Sequence, residues 1–184
     1  MYNRTGGGIN DIMRFFLVFL LCLAPLFFLS GEENGDNLRR SIVETALSLE
    51  GTPYRYGGTG TGGFDCSGYV REVYMRHSIS LPHSSRAQYR DCTPVAIEDA
   101  CPGDLVFFDV RGKGISHVGI YLGERRFIHA ATTIGKVCIS SLDDSYWKPR
   151  FYAAGRRLAP PPAARQTSAA EEKTVVETDA ADSR

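Results

Sequence analysis

The sequence predicts an α+β domain, on three observations. Apolar residues recur at helical spacing in the first half, and they shift to short alternating runs after Pro102. Those runs are joined by glycine-containing links of hairpin length, too short for the crossovers of a parallel sheet. The first helix begins at Asp36, with Leu38, Ile42, Val43, Ala46, Leu47 and Leu49 in register, and Gly51 closes it as a C-cap would. GTPYRYGGTGTGGFD (51–65) is too rich in glycine for helix or regular strand and reads as a shaped loop. CSGYVREVYMRH (66–77) is a second helix, with Tyr69, Val70, Val73 and Tyr74 on its apolar side. A shorter helix follows the Leu81-Pro82 break, from Ser84 to Arg90. About five antiparallel strands come next: DLVFFDV, SHVGIYLG, RFIHA, KVCISSL and PRFYAAGRRL, separated by turns such as RGKG, LGER and TIGK.

The chain has 184 residues, with 21 basic and 21 acidic side chains and a formal net charge of +0. That balance gives no electrostatic ground for nucleic-acid binding or a polybasic attachment to membrane. Arg4 and Arg14 precede a nearly unbroken apolar run, Phe15 to Ser30. Its length suits the core of a secretory signal and falls short of a comfortable membrane span. Residues 1–31 are therefore either a signal peptide or an uncleaved N-terminal membrane anchor; a buried core helix is the bland alternative. Either of the first two sends the rest to an extracytoplasmic space, the periplasm or cell envelope. Residues 36–158 form the folded unit, and 159–184, rich in Pro, Ala and acids, form a disordered tail. In an oxidising compartment Cys92 and Cys101 could close a short loop, or both could be small buried hydrophobes.

Cys66 stands where the glycine-rich loop meets the helix starting at Ser67. The N–H groups and positive dipole end of a helix favour a thiolate there, and the glycines leave the sulfur uncovered. A structural cysteine is the alternative until a partner is found. His117 and His129 are such partners, because an even step of residues across the LGER turn makes them cross-strand neighbours on one face. One imidazole then takes the thiol proton and the other orients it. His77, near a helix end, reads as structural, Asp65 as a cap of the Ser67 helix, and Asp104 as a turn anchor. His83 in LPHSS lies at the surface or at the rim of the site.

GTPYRYGG, FDCSGYVREVY, PGDLVFF, SHVGIYLG and RFIHA, in that order, resemble the NlpC-like cell-wall cysteine peptidases over about Ile42 to Leu158. The resemblance implies a compact, circularly permuted papain-like domain, with N-terminal helices packed on the antiparallel sheet. It implies Cys66 as nucleophile, His117 as base and His129 as the orienting third residue. Tyr54 matches a tyrosine that helps hold the oxyanion, with the Cys66 N–H as second donor, and Ser67 matches a substrate contact. Many members carry arginine where this chain has His83, so Asp65 and His83 are grouped with the substrate-binding side. The implied partner is a peptidoglycan stem peptide, cut at a bond involving a D-amino acid through a thioester, by a monomer without metal or organic cofactor. Three alternatives share these residues: a catalytically silent wall-binding or scaffolding protein, a Cys-His-His zinc site, and an amidase or acyltransferase on another substrate.

Overall fold

The computed structural model describes residues 32–60 and 62–158. The N-terminal segment, Cys22 within it and the C-terminal tail lie outside the described residues. Among those described, no helix is long and apolar enough to cross a membrane. Three helices come first in the chain: α1 (Glu32–Ser48), α2 (Cys66–Met75) and α3 (Ser85–Arg90). A small hairpin, β1 (Thr59–Gly60) with β2 (Gly63–Phe64), lies inside the segment expected as loop. The main sheet contains β3 (Thr93–Val95), β4 (Leu105–Phe108), β5 (His117–Gly123), β6 (Arg126–Ala131), β7 (Lys136–Ser141) and β8 (Phe151–Arg156).

All neighbours in this sheet are antiparallel, in the order β3-β8-β4-β5-β6-β7. It has six strands where about five were expected. The extra one is β3, whose Pro94 disqualifies it as a central strand but suits the edge position it takes. β8 returns to lie between β3 and β4, so the order is not a simple meander.

The alternation of each strand divides the core in two. Leu105, Phe107, Val118, Ile120 and Ile128 face α2, whose Tyr69, Val70, Val73 and Tyr74 are fully buried. Val106, Phe108, Tyr121, Phe127 and Trp147 form the other cluster. α1 adds Ile42 and Ala46 to the first cluster, whereas Leu47, expected on that face, is 39% exposed. The helix ends at Ser48, before the expected stop. Gly51 adopts φ 83° and its N–H docks on the Val137 carbonyl at 2.9 Å, joining the chain to β7.

The β5–β6 hairpin determines where the histidines fall. Glu124 and Arg125 both have positive φ (50° and 57°), the conformation of a two-residue turn. Tyr121 pairs with Phe127, yet Gly123 pairs with Arg126, so β5 carries a one-residue bulge at Leu122. Without that bulge the register would send His117 and His129 to opposite faces. With it, both project from one face. The even step between them is therefore sufficient only in combination with a bulge that no local residue pattern announces.

Candidate active site

The glycine loop and the start of α2 are built against each other. A Cβ on Gly68 would lie 2.0 Å from the Gly58 carbonyl oxygen, so only glycine permits this approach. Asp65 is the N-cap of α2: its Oδ1 accepts from the Gly68 N–H at 2.7 Å. The same carboxylate accepts from the Gly57 N–H at 3.1 Å and the Ser67 hydroxyl at 3.1 Å. His83 Nε2 lies 3.0 Å from both of its oxygens. The expected cap is thus also the tie between loop, helix and rim.

Cys66, the first residue of α2, is partly exposed. The N–H groups of Val118, Ser67 and Cys66 itself favour the thiolate, but burial and the Asp65 charge outweigh them and push the thiol up to about 11. The thiolate expected from a helix start is therefore not the resting state. Burial likewise takes His117 down to about 4, against the opposing pull of Asp65. His129 is held well below the usual imidazole range by burial and by His117. The site rests as a neutral thiol beside neutral imidazoles.

The structure joins His117 to His129 and sets the Cys66 sulfur against the neighbouring residue of the same strand. Val118, whose N–H serves the sulfur, follows His117 directly in β5. His117 Nε2 lies 2.8 Å from His129 Nδ1, too close to admit a metal between those two nitrogens. His129 Nε2 lies 3.0 Å from the Ser140 hydroxyl. Among the described residues no group of three or more His, Cys, Asp or Glu is arranged to hold a metal ion.

Tyr54 bridges to Phe64, two residues before Cys66, and its N–H donates to the Gly135 carbonyl at 2.7 Å. The loop is thus fixed beside the start of α2. Ser67 is buried with its hydroxyl on Asp65, and its carbonyl accepts from Gln88 Nε2 at 2.9 Å. His83 lies at the rim, its side chain 31% exposed. His77 stays apart from this group and contacts Thr45 Oγ1 at 2.9 Å, a structural bond.

Several contributors escaped the sequence. Trp147 stacks on His117 with ring centroids 5.1 Å apart and meets His129 edge-on at 4.8 Å. The lone tryptophan in a loop between strands was its only signal. Gln88, fully buried, also donates to the Pro82 carbonyl at 2.8 Å, pinning the His83 loop to α3. Asp104 does anchor its turn, through the Cys101 N–H at 2.9 Å, but it is fully buried between Arg39 and Arg156, each 2.9 Å away. Cys92 and Cys101 are both unpaired.

Comparison with known proteins finds relatives with described activities. A probable peptidoglycan endopeptidase, LytE of Bacillus subtilis, is 45% identical over 115 residues, 62% of this chain and 33% of LytE. This chain therefore spans about a third of that relative's length. A probable endopeptidase, NlpC of Escherichia coli, is 44% identical over 154 residues, covering 78% of this chain and 99% of NlpC. A crystal structure of a Staphylococcus aureus protein of the NLP/P60 family, described as similar to lipoprotein, superposes with a TM-score of 0.62. It has 36% identity and covers 67% of this chain and 42% of that one. Residues 51–156, from the turn after α1 to the end of β8, match the NlpC/P60 family, and the chain belongs to it.

Proposed function

We propose that this protein is a peptidoglycan endopeptidase of the cell envelope that cuts stem-peptide bonds involving D-amino acids by cysteine catalysis. The observation that carries the proposal is the placement of Cys66 at the start of α2, against the strand whose His117 is bound to His129. Its relatives' names supply the substrate class.

As a stem peptide docks, the Cys66 proton passes to His117 Nδ1 and the sulfur attacks the scissile carbonyl. The oxyanion is held by the Cys66 N–H and the Tyr54 hydroxyl. His117 gives its proton to the leaving amine as the C–N bond breaks, leaving a thioester. Water, deprotonated by His117, then attacks the thioester; the acid departs and the thiol regains its proton. The bond is either the γ-D-glutamyl link to the diamino acid or a D,D cross-link. Ser67 and His83 line the substrate side, Asp65 sets their positions, and the apolar N-terminal segment directs export or holds the enzyme at the membrane.

The test is incubation of the protein with purified peptidoglycan under reducing conditions, with mass spectrometry of released fragments. Cys66→Ala should lower release by at least about 10³-fold, and the fragment masses name the bond. Unchanged muropeptides would point to a silent wall-binding protein, and equal release by the variant would rule out Cys66 as the nucleophile.

A further inference from the structure

We infer that Ser140 is a positioning residue whose hydroxyl fixes the tautomer of His129 and, through it, that of His117. The inference rests on the reading of His117 as the base. The side chains involved run diagonally across three strands on one face. Continuing the register from Ile120↔Ile128 places His117 opposite Ala131, so His129 stands two residues along β6 from that level. His129 faces Cys138, and Ser140 faces Phe127, a further two residues along. The contacts follow that diagonal: 2.8 Å from His117 Nε2 to His129 Nδ1, then 3.0 Å from His129 Nε2 to Ser140 Oγ.

A neutral imidazole carries one donor and one acceptor nitrogen. His117 can take the Cys66 proton only at Nδ1, because Nε2 is engaged with His129. Nδ1 must then be bare, and Nε2–H donates to a bare His129 Nδ1. His129 must accordingly carry its hydrogen on Nε2, and that hydrogen points at Ser140 Oγ. The Ser140 hydroxyl oxygen, 3.0 Å away, is the acceptor that this hydrogen needs. The reverse arrangement sends a hydrogen from His129 Nδ1 to His117 Nε2 and forces the other onto His117 Nδ1, where it blocks the base.

Without the Ser140 hydroxyl, the productive arrangement leaves a buried N–H with only the Cys138 sulfur, 3.9 Å away. The blocked arrangement leaves merely a bare lone pair there. A stranded N–H is the costlier of the two. Removing Oγ therefore tips the pair toward the blocked tautomer.

The test is nitrogen NMR of the histidine rings in the full chain, since bare and protonated ring nitrogens differ widely in shift, together with kcat/KM on peptidoglycan. In the wild type His117 Nδ1 should be bare. Ser140→Ala should move His117 toward the Nδ1–H form and lower kcat/KM about tenfold, and Ser140→Thr should restore both. A bare Nδ1 in Ser140→Ala, or activity lost with no tautomer change, overturns the role of Ser140 alone. A protonated Nδ1 in the wild type overturns the assignment of His117 as base.

Discussion

Asp65 is approached by the N–H groups of Gly57 and Gly68, the Ser67 hydroxyl and the His83 ring. Its negative charge raises the Cys66 thiol and stabilises a proton on His117, so whatever neutralises Asp65 tunes both. An arginine in place of His83, 3.0 Å from that carboxylate, would do so with a permanent charge. His83→Arg should therefore speed alkylation of Cys66 by iodoacetamide at pH 8 about twofold, the scale of a half-exposed ion pair. Alkylation rates of the two proteins measured side by side at pH 8 check it; an identical rate in the variant removes His83 from the electrostatics of the site.

At the scale of the element, the start of α2 depends on backbone touching backbone. Gly68→Ala places a methyl group 2.0 Å from a carbonyl oxygen that belongs to the loop and cannot rotate away. The variant should lose at least ~2 kcal/mol in urea unfolding, a cost typical of overpacking at a rigid site. This contact was legible only as glycine enrichment. The helix itself was plain, because Tyr69, Val70, Val73 and Tyr74 recur at helical spacing and all four are buried. The strands of the central sheet were equally plain from their apolar runs. β3 was not, since Pro94 makes a poor strand signal and its pairing with Gly155 is settled by distant sequence. Cys66, His117 and His129 were legible because each sits in a segment with a strong periodicity of its own. Trp147 and Gln88 were not: their roles exist only after the loop before β8 folds over His117 and α3 closes on Ser67.

Across the whole molecule, burial of two neutral histidines ties the stability of the fold to pH. His117 falls from an ordinary value of about 6.5 to about 4, and His129 is lowered as well. A depressed imidazole means that the unfolded chain binds the proton first as pH falls. The His117 share of the stabilisation is then fully present above ~6.5 and is lost progressively as pH falls to about 4. The His117 contribution is on the order of 3 kcal/mol. Urea unfolding between pH 7 and 4 should show that slope, and His117→Gln should flatten it; an unchanged slope would place the acid sensitivity elsewhere. The buried Asp104 acts at the same scale, since Arg39 of α1 and Arg156 of β8 both close on it. The first helix is thereby fastened to the last strand by charge as well as by apolar packing.

The extra residue at Leu122 reaches beyond this one chain. Among related genes, a deletion of one codon in that hairpin would leave the cysteine and both histidines readable in the translated protein. It would nonetheless turn one imidazole to the far side of the sheet. An inventory of residue types would score such a gene as keeping the histidine pair. A count of the residues between the two histidines, taken with the length of their turn, would show that the pair is broken.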